Sequence, residues 1–487
     1  MLQTLKNAWN TREIRSKILF TLLILLIYRV GTVIPVPFVE ANDFAASLSG
    51  TILDYMNTLS GGSLGAMTLF ALGVQPYINA SIILQLLAVV IPPLGEVAKN
   101  NKKLMGLITR LTTVGLAIVT AVGYYFLLRN GNASAGVDTF LTREAYEGDL
   151  AWLYAIVIIA CYTAGASLIT WLAERINEKG IGNGISIILF ANIVASVPSF
   201  VYNLVNLVVD TFGYPVDTWL YATLTTVFSV VFVVGLLVLI GVVIWFTGSE
   251  RKIPVQYAKK VVGRKMYGGQ STSLPIKLNM TGVMPIIFAS SIVSFLPTVF
   301  QILESAGAFK NNPDSGWLVF ADIIGSEGVV YPVMLFLLII AFAYFYAQIT
   351  FDPMEVANNL KKQGGAIPGI RQGRPTADYI RKILNKITLA GALFLGIIAV
   401  LPIVLGPHVM KHFFEWVYEG GYIELFRQNP AYAELYRAWY IEPAAASLVS
   451  VFSFGGTTLL IVVGVAIETY RELESQLTMR NYKGFLN

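Results

Sequence analysis

The sequence predicts an all-α, polytopic membrane protein of ten transmembrane helices in two inverted five-helix halves, and three observations predict it. First, hydrophobic residues make up 55% of the 487-residue chain and charged residues only 13%. A soluble protein carries about 25% charge, and a chain this long could not cover its surface with so little. Second, the apolar residues fall in blocks long enough to cross a bilayer, which takes ~20 residues as a helix. The blocks are continuous rather than alternating, so helices and not a barrel satisfy the backbone in lipid. Third, the blocks number ten. Five spans per half is odd, so two homologous halves lie in opposite orientations, the inverted-repeat plan of many transport folds. The lone cysteine, Cys161, excludes a disulfide framework or a thiolate metal cluster.

In chain order the spans are expected at 18–37, 74–91, 104–128, 151–173, 181–203, 218–247, 280–303, 329–350, 386–406 and 448–470, with the halves meeting between residues 203 and 204. Lys6, Arg12, Arg15 and Lys17 precede the first span like the basic region of a signal peptide. No small-residue cleavage site follows and Arg29 interrupts the run, so the segment reads as a permanent span. Between the first two spans, Leu59 to Gly73 is apolar but carries Gly61, Gly62, Gly65 and Gly73, and Pro76 follows. It is too short and too rich in glycine to cross as a regular helix. The seventh span, equivalent to the second under the inverted plan, has Gly282 and Pro285 at its start. Such breaks mark a transport pathway or serve as simple kinks.

Charge sets the orientation. Of 34 Lys and Arg residues, 26 fall on the side holding both termini, 6 on the opposite side, and Arg29 and Arg110 within spans. Acidic residues run the other way, 11 against 18. Both termini are therefore expected in the cytoplasm. Two long connections on that side, 248–279 and 351–385, are polar and basic. They either express the positive-inside bias alone or form a docking platform for a soluble partner or ribosomal RNA.

The missing chemistry is equally informative. No Asp or Glu lies in the central part of any span, whereas proton- or sodium-coupled transport needs such a group at depth. Arg29 reads as snorkelling or structurally paired. The two histidines, His408 and His412, sit in the external 408–447 connection. With Glu415 they would share one helical face and suit zinc, although the surrounding HFFEWVYEGG reads more simply as an amphipathic segment at the membrane interface. No metal or cofactor is therefore assigned. The run Gly180, Gly182, Gly184 opens an apolar span instead of following a strand, so it is no dinucleotide loop. No GxxxxGK[ST] loop exists to cradle a nucleotide, so the chain is expected to be no enzyme, and a partner must supply energy.

Seven stretches in order resemble the SecY family: RVGTVIPVP at 29–37, LFALGVQPYINASIILQLL at 69–87, GIGNGISIILFANIV at 180–194, IPVQYAKK at 253–260, GGQSTSLPIKLNMTGVMPIIFASSI at 268–292, ANNLKKQGGAIPGIR at 357–371 and GGTTLLIVVGVAIET at 455–469. The resemblance implies a clamshell around an hourglass pore, which translocates unfolded secretory polypeptides and releases apolar segments sideways into lipid. It implies a constriction ring of Ile78, Ile82, Ile185, Leu189, Ile287 and Ile461. It also implies a plug at about 61–73 formed as a half-helix, including Gly61, Gly62, Leu64, Met67 and Phe70, and a lateral gate with Gln85, Ser290 and Ser291. Arg251, Lys252 and Arg371 would dock partners. Those partners would be SecE and SecG subunits, the SecA ATPase and the ribosome, in a bacterial cell membrane. Gln372 and Gly373 depart from the family's usual Pro-Gly, which leaves the turn at Arg371 open, and the 408–447 segment is longer than typical. A small-solute transporter and an intramembrane enzyme are the rival classes.

Overall fold

The computed structural model describes residues 2–40, 44, 48, 52–131, 139–212, 219–257, 260–262, 265–267, 271–305, 330–405 and 456–483. The external 408–447 segment, with His408, His412 and Glu415, lies outside the described residues, as does the start of the tenth span.

Each expected span contains a helix: Arg12–Gly31, Gln75–Val90, Lys102–Asn130, Ala151–Lys179, Gly184–Phe212, Trp219–Gly248, Met284–Ser305, Val330–Thr350, Arg374–Val404 and Thr457–Lys483. Six of them, the third to sixth, eighth and ninth, are long and apolar enough among the described residues to cross a bilayer unaided. The other four depart for readable reasons. The first carries Arg12, Glu13, Arg15, Lys17 and Arg29. The second has 16 residues and bends by 115° into the short helix Pro92–Asn100. Pro92 and Pro93 cannot continue the preceding helix, because they lack the donors its last carbonyls need. The apolar part of the seventh, Met284–Phe300, is short. The tenth runs on into a charged tail.

Side-chain caps set several helix starts. Asn101 Oδ1 accepts from Leu104 N at 3.1 Å and opens the third span. Asn177 Oδ1 accepts from Gly184 N at 2.7 Å, and Asn183 Oδ1 from Ile185 N at 3.1 Å, so two amides start the fifth. A methyl group on Gly184 would stand 2.0 Å from Ala173 O. The glycine run is thus a tight turn between packed helices.

The two long basic connections fold together. Strand β1 (Glu250–Tyr257) pairs antiparallel with β4 (Ser271–Lys277), and β5 (Gly365–Ala366) adds to the other edge of β1. Strands β2 (Lys260–Val262) and β3 (Lys265–Tyr267) form a separate two-stranded ribbon. Ile253 and Val255 alternate inward along β1 and join Ile276, Leu360, Ile367, Ile380, Ile383 and Ile387 in a small core. The helix of the ninth span starts at Arg374, so its first turns carry part of this core. The short helix Pro353–Lys362 is capped by Asp352, whose carboxylate accepts from Met354 N at 2.8 Å. The described parts of the two connections therefore form a sheet-and-helix platform.

Two clusters hold the spans. The larger unites side chains of the first, second and fourth to tenth spans. The smaller joins the third and fourth spans to Val36, Phe44, Leu48, Leu53, Leu64, Met67, Ala71 and Leu72.

Candidate functional site

The six residues expected to form a constriction come together. Ile78 and Ile82 lie one turn apart on the second span, Ile185 and Leu189 one turn apart on the fifth, with Ile287 on the seventh and Ile461 on the tenth. Ile78, Ile82, Leu189, Ile287 and Ile461 are at most 3% exposed and share the larger cluster, against which half-buried Ile185 packs. A cavity of about 220 Å³ reaches Ile78, Ile185 and Ile287, where it is also lined by Tyr77, Ser81, Gln85, Asn183 and Tyr346. One turn further along the fifth span, Leu189 lines a different space of about 10 Å³ beside Met56, Leu59, Ser60, Leu72 and Gly73. That is scarcely room for one water. Branched apolar side chains thus separate an open, partly polar vestibule from a nearly filled one.

The filling comes from the segment after the first span, in a form the sequence did not indicate. The regular helix is Ile52–Leu59, and residues 60–73 follow as consecutive turns. Gly61, Gly62 and Gly73 take φ of 68°, 84° and 56°, and Met67 takes 48°. This left-handed backbone is natural for glycine and ends the helix where a half-helix was expected. Gly62 is exposed and Gly61 half-buried, whereas Leu64, Met67 and Phe70 are at most 3% exposed. Asn57 pins the turn, its side-chain oxygen accepting from Gly65 N at 2.8 Å. Val36 N donates to Met67 O at 3.1 Å and Leu69 N to Ile34 O at 2.9 Å. Phe70 stacks on Tyr28 with ring centres 5.3 Å apart. A methyl group on Gly31 would meet that ring at 2.0 Å, and one on Gly165 would stand 1.9 Å from Leu69 O. Two glycines on neighbouring spans therefore make the berth.

At the expected gate, Ser290 and Ser291 are buried, and both hydroxyls donate to Ile287 O, at 3.0 and 2.7 Å. They bond within their own helix. Of the three, Gln85 makes the crossing, its Oε1 accepting from the hydroxyl of Tyr346 on the eighth span. Tyr346 also packs against Phe288 of the seventh span, ring centres 5.2 Å apart. Sequence reasoning missed Tyr346, which sits in the aromatic run AYFYAQ. The available signal, a polar-tipped aromatic in a mostly apolar span, is shared with Tyr331 and Tyr344.

Arg251 and Lys252 stand exposed on β1, where Lys252 lies 3.4 Å from Glu250. Arg371 is exposed between β5 and the ninth span. Its turn is well defined despite the unusual Gln372-Gly373. Gln372 Nε2 donates to Gly365 O at 3.1 Å, Thr376 Oγ1 donates to Arg371 O at 2.8 Å, and Gly373 takes φ of 95°. At the base of the platform, Arg471 of the tenth span donates to Thr247 O at 2.8 Å. Burial and the nearby Arg471 guanidinium hold the Lys277 amine below its ordinary range, while Glu250 and Glu468 pull the other way. Arg110, within the third span, pairs with Glu174 of the fourth at 2.7 Å. Among the described residues no group of His, Cys, Asp and Glu is placed to hold a metal ion.

A family model described as SecY matches residues 68–422. The chain belongs to the SecY family. It is 38% identical to protein translocase subunit SecY of Streptomyces coelicolor over 497 residues, covering all of both chains. It is equally 38% identical to protein translocase subunit SecY of Mycobacterium tuberculosis H37Rv over 498 residues, again covering both completely. Among solved structures it is similar to a chain described as a protein-conducting channel, with a TM-score of 0.56, 17% identity, and coverage of 95% of this chain and 92% of that one. It is also similar to Sec61 in the canine ribosome-channel complex from the endoplasmic reticulum, with a TM-score of 0.53, 16% identity and the same coverage. These structural likenesses show the shared ten-helix fold. The chain is a multi-pass membrane protein of the protein-transport class, a channel subunit of the translocase type.

Proposed function

We propose that the chain passes unfolded secretory polypeptides through the constriction of Ile78, Ile82, Ile185, Leu189, Ile287 and Ile461 and releases apolar segments into lipid between the second and third and the seventh and eighth spans. The observation that carries this reading is the convergence of side chains from four separate spans on one buried apolar cluster, with a vestibule against one face and the 60–73 turns against the other. Branched apolar side chains dewet when the pore is empty and form a compliant seal around a passing chain. Leu64, Met67 and Phe70, with the turn at Gly61 and Gly62, act as the plug. It leaves readily because turns held by few long-range bonds lie at the low-stability end of a fold. The halves 1–203 and 204–487 part at the gate formed by Gln85, Ser290 and Ser291.

Both termini lie in the cytoplasm of a bacterial cell, which places the platform of 248–279 and 351–385 there. Arg251, Lys252 and Arg371 present it with positive charge to a SecA-type ATPase or to a ribosome, and SecE- and SecG-type subunits complete the channel. The chain hydrolyses nothing itself. The test is reconstitution with a SecE-type subunit and SecA, following protease protection of a secretory precursor. ATP-dependent protection is expected. Solute uptake without protection would instead establish a small-solute transporter.

A further inference from the structure

We infer that Asn192, with Arg29, is a latch that holds the plug closed. The inference rests on the plug reading above. Asn192 lies in the apolar stretch Ile188 to Val194 of the fifth span, three residues beyond Leu189, and is 0% exposed. An amide buried in a membrane span is unfavourable unless its hydrogen-bonding groups are used. Asn192 uses its donor on the plug: Nδ2 donates to Leu59 O at 2.8 Å, the last carbonyl of the helix Ile52–Leu59. Two residues on, Arg29 Nη1 donates to Gly61 O at 3.5 Å. A methyl group on Gly61 would stand 3.1 Å from Asn192 Oδ1 and 3.2 Å from Arg29 Nη1. The two side chains therefore enclose the turn from the fifth and first spans.

The latch is strong enough to hold and weak enough to release. Its inner arm is a single neutral hydrogen bond. Beside it, the buried Tyr28 hydroxyl faces the Asn192 amide. A substrate that displaces the plug thus has one inner bond to break. The polar atoms face the turn where the helix ends, so the latch acts on the hinge of the plug and leaves the apolar contacts of Phe70 to the berth.

The test uses the full chain with a SecE-type subunit in proteoliposomes, in a Cys161→Ala background carrying Ser60→Cys as the only thiol. Ion conductance without substrate and thiol labelling at position 60, which is 3% exposed in the closed form, are measured for Asn192→Leu and Asn192→Ser. The serine fits without clash and cannot reach Leu59 O. Deletion of residues 60–73 serves as the reference. Both substitutions are expected to raise conductance and labelling by roughly 2- to 10-fold, the range one net hydrogen bond allows. If the deletion leaks while both variants stay within the native range in conductance and labelling, the latch is overturned and the plug stands. If the deletion leaks no more than the native channel, the plug reading fails and the latch falls with it.

Discussion

Tyr346→Phe removes one oxygen atom and with it the hydrogen bond that links the second span to the eighth across the proposed gate. The ring remains, so the packing on Phe288 at 5.2 Å is retained and little apolar burial is lost. Gln85 and Tyr346 both line the 220 Å³ cavity, so water can approach the amide left behind and satisfy it. The loss is therefore at the low end for a hydrogen bond, about 0.5–1 kcal/mol, in line with the modest values of interhelical bonds in membranes. The closed state should then lose ~2- to 5-fold in population relative to the open one. Translocation of a precursor with a weakened signal sequence should rise by a similar factor, while one with a strong signal should change little. Gln85→Leu should do the same. A double-mutant cycle decides the matter: the pair should be no worse than either single change, because both remove the same bond. If the double variant shows the sum of two independent effects, the clasp does not exist and Tyr346 acts by packing alone.

Arg371→Glu reverses the charge of an exposed residue whose turn is held by backbone and Gln372 contacts. ATPase-driven translocation should fall sharply while membrane insertion and thermal stability stay native; unchanged translocation would remove the docking assignment. Ile461→Asn puts an amide where a side chain 1% exposed now packs, losing about 1.5–3 kcal/mol of burial and letting water wet the constriction. Closed-state ion conductance should rise several-fold, and a native value would count against Ile461 as part of the seal. Gly165→Val drives side-chain atoms into Leu69 O, since even a methyl group would lie 1.9 Å away. The strain should reach about 3 kcal/mol or more, visible as a lowered Tm of the purified complex; unchanged stability would show that the plug berth yields freely.

Much of this molecule is written locally. Ten spans and the glycine-rich interruption after the first are legible because each depends on the composition of one stretch of chain. A helix in lipid needs apolar side chains along its own length. The end of the Ile52–Leu59 helix was only half legible. The glycines announced a break, but whether they lay within a helix or after it depended on Asn57 and on bonds to Ile34 and Met67.

The decisive contacts depend on residues far apart in sequence. Gln85 meets Tyr346, Asn192 meets Leu59, and β1 meets β5, and no periodicity or composition encodes those pairings. Strand β1 does alternate along RKIPVQY, yet a polar loop rich in glycine and proline hid the signal. The constriction is the sharpest case. Ile78, Ile82, Ile287 and Ile461 have the same chemistry as Ile83 or Ile397, which are exposed on the outer surface. Lipid and a dry pore select the same side chains, so the sequence determined that these helices cross a membrane, and only their packing decided which isoleucines are buried together at the proposed constriction.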